Sequence, residues 1–204
     1  AYHDDPNTDF HTMVSEMAKI DRKKAKTINL GLFYGMGKGK LSSELGLSPG
    51  EAEDLFEKYH KRVPFVKEMI ERTMKKAADI GHVRTLLGRK CRFDKWEPSR
   101  YGVHRPLPRD EAEREHGKQI RRAFTYKALN KIIQGSAADM TKQAMADLHD
   151  EGITPHIQVH DELDCSFEDE VEKDKILEIM RNAVKLEVPV KLDAEVGPSW
   201  GKAK

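Results

Sequence analysis

Two cysteines in 204 residues leave little room for cysteine chemistry. Cys91 and Cys165 lie far apart and lack metal-ligand spacing. Neither a disulfide scaffold nor a zinc ribbon is expected, and a reduced, cytoplasmic protein is. Long apolar runs are missing too. No stretch could cross a bilayer and none has the pattern of a signal peptide, so no membrane partner is expected. One-sided charge is also absent: 36 Lys and Arg nearly cancel 35 Asp and Glu, for a formal net charge of +1. Net charge therefore gives little support to a nucleic-acid partner. Neither repeats nor low-complexity tracts occur, and 204 residues can bury a real core in one or two lobes.

The charge is local instead. Lys19 to Lys40 is dense in cations and holds a single acid, Asp21, so it forms a patch that attracts phosphate even in a nearly neutral chain. On a helix, Arg22, Lys23, Lys26 and Leu30 fall within about 100° of arc, and Ala25, Ile28 and Leu32 fall opposite. One face is ready for a core; the other offers three cations and one apolar side chain. Arg and Lys one turn apart can hold two phosphates of a polyphosphate, Arg bidentately. Asp21 is placed to cap this helix, with Ile20 and Ala25 in staple positions. Tyr34-Gly35 closes it with an aromatic plate and a flexible backbone. Read alone, the segment is as well explained by a solvated basic face.

A second segment carries the acids. Residues 155–167 alternate apolar and polar around His160-Asp161-Glu162, with Ile157 and Val159 on one arm and Leu163, Cys165 and Phe167 on the other. The pattern predicts a β-hairpin with both carboxylates at its turn. Such acids are ordinarily just solubilising; pushed to a tip, they can also offer hard oxygen ligands to Mg²⁺.

The wider organisation predicts a helical lobe followed by a mixed one. Ser48-Pro49-Gly50-Glu51 reads as a capping box with proline at the first helical position, opening a helix to about Lys61. Pro64 starts another helix, with Val66, Ile70, Thr73, Met74, Ala77 and Ile80 along one side and Gly81 ending it. A hairpin turning at Gly88 follows. Residues 94–118 are polar and irregular and read as a surface insertion or connector. A helix is expected from about Gln119 to Leu148, with a break near Gln134-Gly135, then the carboxylate hairpin. A helix near Glu170 to Leu186 and a last strand, Val188 to Val196, complete the chain.

Taken together, these segments resemble the family A DNA polymerases, the bacterial DNA polymerase I-like group. The fingers motif Arg-x3-Lys-x7-Tyr-Gly matches at Arg22, Lys26, Tyr34 and Gly35, and the palm motif Val-His-Asp-Glu at Val159 to Glu162. Between them, Asn130 to Asp139 resembles the start of the family's template-contacting helix, and Glu195 to Trp200 resembles its ending. Three motifs in register are highly specific, and they span nearly the whole chain. The resemblance implies an α+β fold. Residues 1–18 would connect palm to fingers, 19–118 would form a mostly helical fingers lobe, and 119–204 would form part of a palm whose β-hairpin packs on helices.

The implied reaction adds a dNTP to a primer 3′-hydroxyl on a DNA primer-template, with two Mg²⁺ ions. By resemblance, Asp161 is a metal ligand and Glu162 a weaker one. Lys26 neutralises the triphosphate and can protonate pyrophosphate. Arg22 grips the distal phosphates, Leu30 sits beside the incoming sugar, and Tyr34 with Gly35 meets the nascent base pair or template. Lys127, Asn130, Gln134, Gln158 and His160 contact template or primer. Leu30 departs from the usual Phe or Tyr, a variation found in viral relatives that makes a phage origin an expectation. Lys127 replaces an Arg, keeping charge but losing the bidentate fork.

The family's upstream palm strand, with an Asp-x-Ser-x-x-Glu motif, has no match in these residues. The expectation is a C-terminal polymerase piece, inactive alone, whose partner or upstream segment supplies that Asp and the thumb. A non-catalytic nucleic-acid-binding module is the alternative, against which the retained Lys26, Tyr34 and Asp161 argue. An unrelated phosphate-binding protein would leave the register of motifs unexplained.

Overall fold

In a computed structural model, residues 8–18, 20–100 and 102–203 are described; Ala1 to Asn7, including the opening of the palm-to-fingers connection, lie outside them. The fold is α+β and rich in helix. The chain divides into two compact units, Asp9–Gly135 on one side and residues 136–203 with Thr8 on the other.

In the first unit, α1 (Phe10–Ala18) packs on α2 (Arg22–Phe33). The helices α3 (Lys38–Leu45), α4 (Pro49–Arg62) and α5 (Pro64–Ile80) follow. Their apolar faces close one core: Val14, Ala25, Ile28, Leu32, Leu41, Leu55, Tyr59, Val63 and Val66. The local signals explain the breaks. Ser48 and Glu51 complete the capping box before α4, and Gly81 ends α5 in the left-handed region, which costs glycine nothing. Ile80 departs from the expected buried stripe: it is 51% exposed, because the turn at Gly81 carries the last residue of α5 past the core. A smaller core of Ala77, Val83, Phe93 and Ala128 lies under the antiparallel hairpin β1 (His82–Arg84) and β2 (Lys90–Arg92).

Residues 94–118 are not an irregular connector. β3 (Trp96–Pro98) pairs with β4 (Ile120–Arg122), and α6 (Arg109–His116) lies between them in sequence. Trp96 organises the segment. Its backbone exchanges two hydrogen bonds with Leu107, and its ring takes the Arg109 and Arg122 guanidinium groups at 5.1 and 4.6 Å. The acid-base run is a helix with Asp110 and Glu111 in the first turn and Arg114 and His116 in the last, as the helix dipole favours.

The pairing of β4 also removes the expected helix over 119–127. Arg122 sits in a ladder, Phe124 adopts φ +62°, and a 3-10 turn spans Thr125–Lys127. From there α7 (Ala128–Asp150) runs unbroken through Gln134-Gly135. Gly135 is a packing glycine rather than a break: a Cβ there would lie 2.7 Å from Thr85 Cγ2.

The second unit holds the end of α7, β5 (Ile157–Val159) paired antiparallel with β6 (Glu162–Asp164), and α8 (Glu170–Asn182). Leu148, Ile153 and Ile176 form its core, with Leu163, Cys165 and Phe167 against it. The second arm of the hairpin thus buries as the alternation requires. Ile157 and Val159 do not; they stay 41% and 38% exposed. Residues 188–196 form no strand: none of the described strands offers them a ladder, and Val188 and Val196 remain exposed.

Candidate functional site

The helix α2 carries the first group of residues. The Asp21 side chain accepts from the Lys24 N–H at 2.9 Å and caps it. With Ala25, Ile28 and Leu32 buried, Arg22, Lys23 and Lys26 are left in solvent and Leu30 is 40% exposed. The cationic face predicted from the helical period is therefore real.

Arg22 is not a loose side chain. Its Nε and Nη2 both lie 2.6 Å from Asp9 Oδ2. Asp9 also accepts from the Thr12 hydroxyl at 3.0 Å and from the backbone N–H groups of His11 and Thr12. It thus caps α1 and anchors Arg22 at once. Chiefly through the Arg22 hydrogen bond, its carboxyl is lowered to about 2. One edge of the guanidinium is fixed, and among the described residues no partner takes Nη1, which can meet an anion.

Beside this pair, the amide of buried Asn29 sits 2.9 Å from His11 Nδ1. Sequence reasoning passed over Asp9, His11 and Asn29. Signals existed: Asn29 projects about 20° from Arg22 at the helical period, a polar residue between core and cations. Asp9 precedes an apolar helix start as an N-cap does.

The end of α2 meets the start of α7. Gln134 Nε2 donates to Tyr34 Oη at 2.5 Å. Gly35 has φ +76°, and a Cβ there would lie 3.2 Å from the Tyr126 carbonyl oxygen, so close approach and backbone sign both require glycine. Lys127 stands over the rings of Phe124 and Tyr126 at 5.0 and 5.6 Å, and Asn130 is half-buried. Within this unit, then, Arg22, Lys26, Leu30, Tyr34 and Gly35 share α2 and its cap, while Lys127, Asn130 and Gln134 gather at the start of α7.

The remaining residues lie on the β5–β6 hairpin. Its turn is His160-Asp161, with His160 at φ +55°, and Gln158 Nε2 donates to the His160 carbonyl oxygen. Only Asp161 occupies the tip. Glu162, expected in the turn beside it, is instead the first residue of β6 opposite Val159, because a two-residue turn suffices to reverse the chain. Glu162 Oε1 accepts from Trp200 Nε1 at 3.1 Å.

Both carboxylates line a cavity of about 530 Å³ shared with Asp164, Lys173, Asp193 and Glu195. Among the described residues no three His, Cys, Asp or Glu side chains converge as a closed metal cage. Two exposed carboxylates still suit Mg²⁺, which keeps several waters and takes one or two carboxylates plus substrate phosphates. The donor set fits such an ion at Asp161 and the free oxygen of Glu162.

The model of DNA polymerase family A matches residues 6–202. The chain belongs to DNA polymerase family A. A DNA-directed DNA polymerase of Pseudomonas phage M6 is 36% identical over 234 residues, covering 98% of this chain and 32% of that protein. The thermostable DNA polymerase I of Thermus filiformis is 38% identical over 190 residues, covering 90% and 21% respectively. The POL domain of Pol1 from M. smegmatis, in complex with DNA primer-template and dNTP, superposes with a TM-score of 0.69 at 29% identity. That match covers 91% of this chain and 33% of that one. The chain thus spans about a third or less of these family A relatives. No helix among the described residues is long and apolar enough to cross a membrane.

Proposed function

We propose that this chain is the fingers lobe (19–118) and part of the palm (119–204) of a DNA-directed DNA polymerase, adding dNTPs to a primer 3′-hydroxyl on a DNA template. The reading rests above all on α2: Arg22, Lys26 and Leu30 line its solvent face, and Tyr34 is tied to Gln134, in a chain matched almost end to end by family A.

Each side chain has work to do. Arg22, braced by Asp9, presents its outer fork to the distal phosphates. Lys26, one turn on, neutralises the triphosphate and can give a proton to the departing pyrophosphate. Leu30 offers an apolar wall to the sugar. Tyr34 stacks at the nascent base pair above Gly35, while Lys127, Asn130 and Gln134 hold the template. Gln158 and His160 meet the primer end. Asp161 and Glu162 would hold Mg²⁺; two bound ions supply positive charge that stabilises attacking and leaving oxygens. On this reading a partner or an upstream segment would supply the further palm carboxylate that the resemblance implies, and the thumb.

The test is primer extension in a complex reconstituted with that upstream segment. Asp161→Ala should abolish turnover at every dNTP concentration, since added nucleotide cannot replace a metal ligand. Near-normal rates would reduce the hairpin acids to ordinary turn residues and end this reading.

A further inference from the structure

Residues 197–203 fold back on themselves. The Ser199 carbonyl oxygen accepts from the N–H groups of Lys202 and Ala203 at 2.9 and 3.0 Å, closing a 3-10 turn over Trp200–Lys202. The turn lies against Gly197, where a Cβ would come within 2.6 Å of the Lys202 carbonyl oxygen and 2.7 Å of the Ala203 nitrogen. Only a residue without a side chain admits backbone that close. Folded this way, the turn brings Trp200 to the carboxylate hairpin. Its Nε1–H donates to Glu162 Oε1 at 3.1 Å, and the ring lines the cavity that holds Asp161 and Glu162.

Packing does not account for Trp200. It is 54% exposed and stands outside the core of Leu148, Ile153 and Ile176, although an indole is among the largest apolar groups a core can take. What the ring has instead is a directed polar contact. An indole N–H donates only and carries no charge, so it fixes a carboxylate without cancelling its charge. The two cations lining the same cavity have other partners: Lys173 pairs with Glu170, and Lys191 with Asp193 at 3.6 Å. Among the described residues Glu162 forms no ion pair. Its acidity is left whole while its position is held.

We infer that Trp200 is a positioning residue for the carboxylate hairpin: its indole N–H holds Oε1 of Glu162 and leaves Oε2 as the oxygen offered, with Asp161, to a divalent cation. A glutamate on an exposed strand samples many rotamers, and freezing it on binding opposes that binding. Here the side chain is ordered before the ion arrives. Donors that orient ligand side chains in this way commonly change metal affinity by about tenfold or more. The inference rests on the reading of Asp161 and Glu162 as Mg²⁺ carboxylates and adds the residue that sets the geometry of one of them.

The probe is Mg²⁺ alone, titrated into the isotope-labelled 204-residue chain and followed by NMR. The chain has two tryptophans, so the indole N–H resonance that Trp200→Phe removes is that of Trp200. In the metal-free parent, Glu162→Ala should shift this resonance toward the position of an unbonded indole while that of Trp96 stays in place. Mg²⁺ affinity is then read from the backbone amides of Asp161 and Glu162, independently of any activity. Trp200→Phe keeps a ring and loses the donor; it should weaken Mg²⁺ about tenfold. Trp200→Ala should weaken it no further.

A Trp200 resonance indifferent to Glu162→Ala would overturn the inference. So would equal Mg²⁺ affinity in parent and Trp200→Phe; a fall confined to Trp200→Ala would mark a ring that merely packs. Each of these results leaves the catalytic reading standing. A parent whose hairpin amides ignore Mg²⁺ would overturn the inference through the reading on which it rests, and primer extension with Asp161→Ala tests that reading by itself.

Discussion

Asp9 and Arg22 make one functional group from two charges. The aspartate fixes the guanidinium, and the guanidinium lowers the carboxyl from the ordinary 3.8 to about 2. A depressed carboxylate contributes stability that is present above its unfolded value and lost as pH falls through the folded one. The window here is therefore about pH 4 to 2. Titrating the Asp9 carboxyl carbon by NMR should give a midpoint near the lower end, and Arg22→Ala should move it toward 3.8. A midpoint indifferent to Arg22 would dissolve the pair in solution.

Lys26 tests the other half of the cationic face. In the complex reconstituted with the upstream segment, Lys26→Ala should slow single-turnover incorporation on the order of 10²-fold or more while primer-template binding persists. Leu30 gives a sharper handle on specificity, because leucine cannot copy a flat ring packed on a sugar. Strong discrimination against dideoxynucleotides is expected, relaxed by Leu30→Tyr. Equal incorporation ratios in a competition assay would move Leu30 out of the sugar pocket.

At the scale of elements, the helices were legible where their stop and start signals were strong. The box at Ser48 is one such signal: its hydroxyl meets the Glu51 N–H while the Glu51 carboxylate returns to the Ser48 N–H. Ser48→Ala should cost about 1 kcal/mol, read as a lower Tm or denaturation midpoint. No change would mean that α4 is held by its core contacts alone. Legibility failed where one side chain reorganised a polar stretch. Nothing in the sequence of 94–118 announces that the Trp96 ring will gather Arg109 and Arg122, where β3, α6 and β4 come together. Gly135 misled for a related reason: read along the chain it breaks a helix, yet in the fold it admits Thr85. At the candidate site the same division holds. The cations of α2 followed from helical period, whereas the brace from Asp9 depends on a contact between helices that periodicity does not encode.

For the whole molecule, the question is what these 204 residues do unaided. Asp161 and Glu162 are the carboxylates that the family resemblance assigns to metal here. The resemblance places another Asp on a palm strand whose Asp-x-Ser-x-x-Glu motif the sequence does not contain. On the reading proposed above, Asp161 and Glu162 would neutralise only part of the charge on two divalent ions, and the chemical step would lack its full support. The α7 residues to which the resemblance gives DNA contact, and the cations of α2, need no such help. The purified chain should therefore bind primer-template yet extend no primer, at any Mg²⁺ or dNTP concentration. Extension should appear when it is combined with the upstream part of a family A polymerase, and the phage relative is long enough to supply one, since the match covers 32% of it. Extension by the isolated chain that vanishes in Asp161→Ala would prove these residues sufficient, and the upstream carboxylate dispensable for turnover.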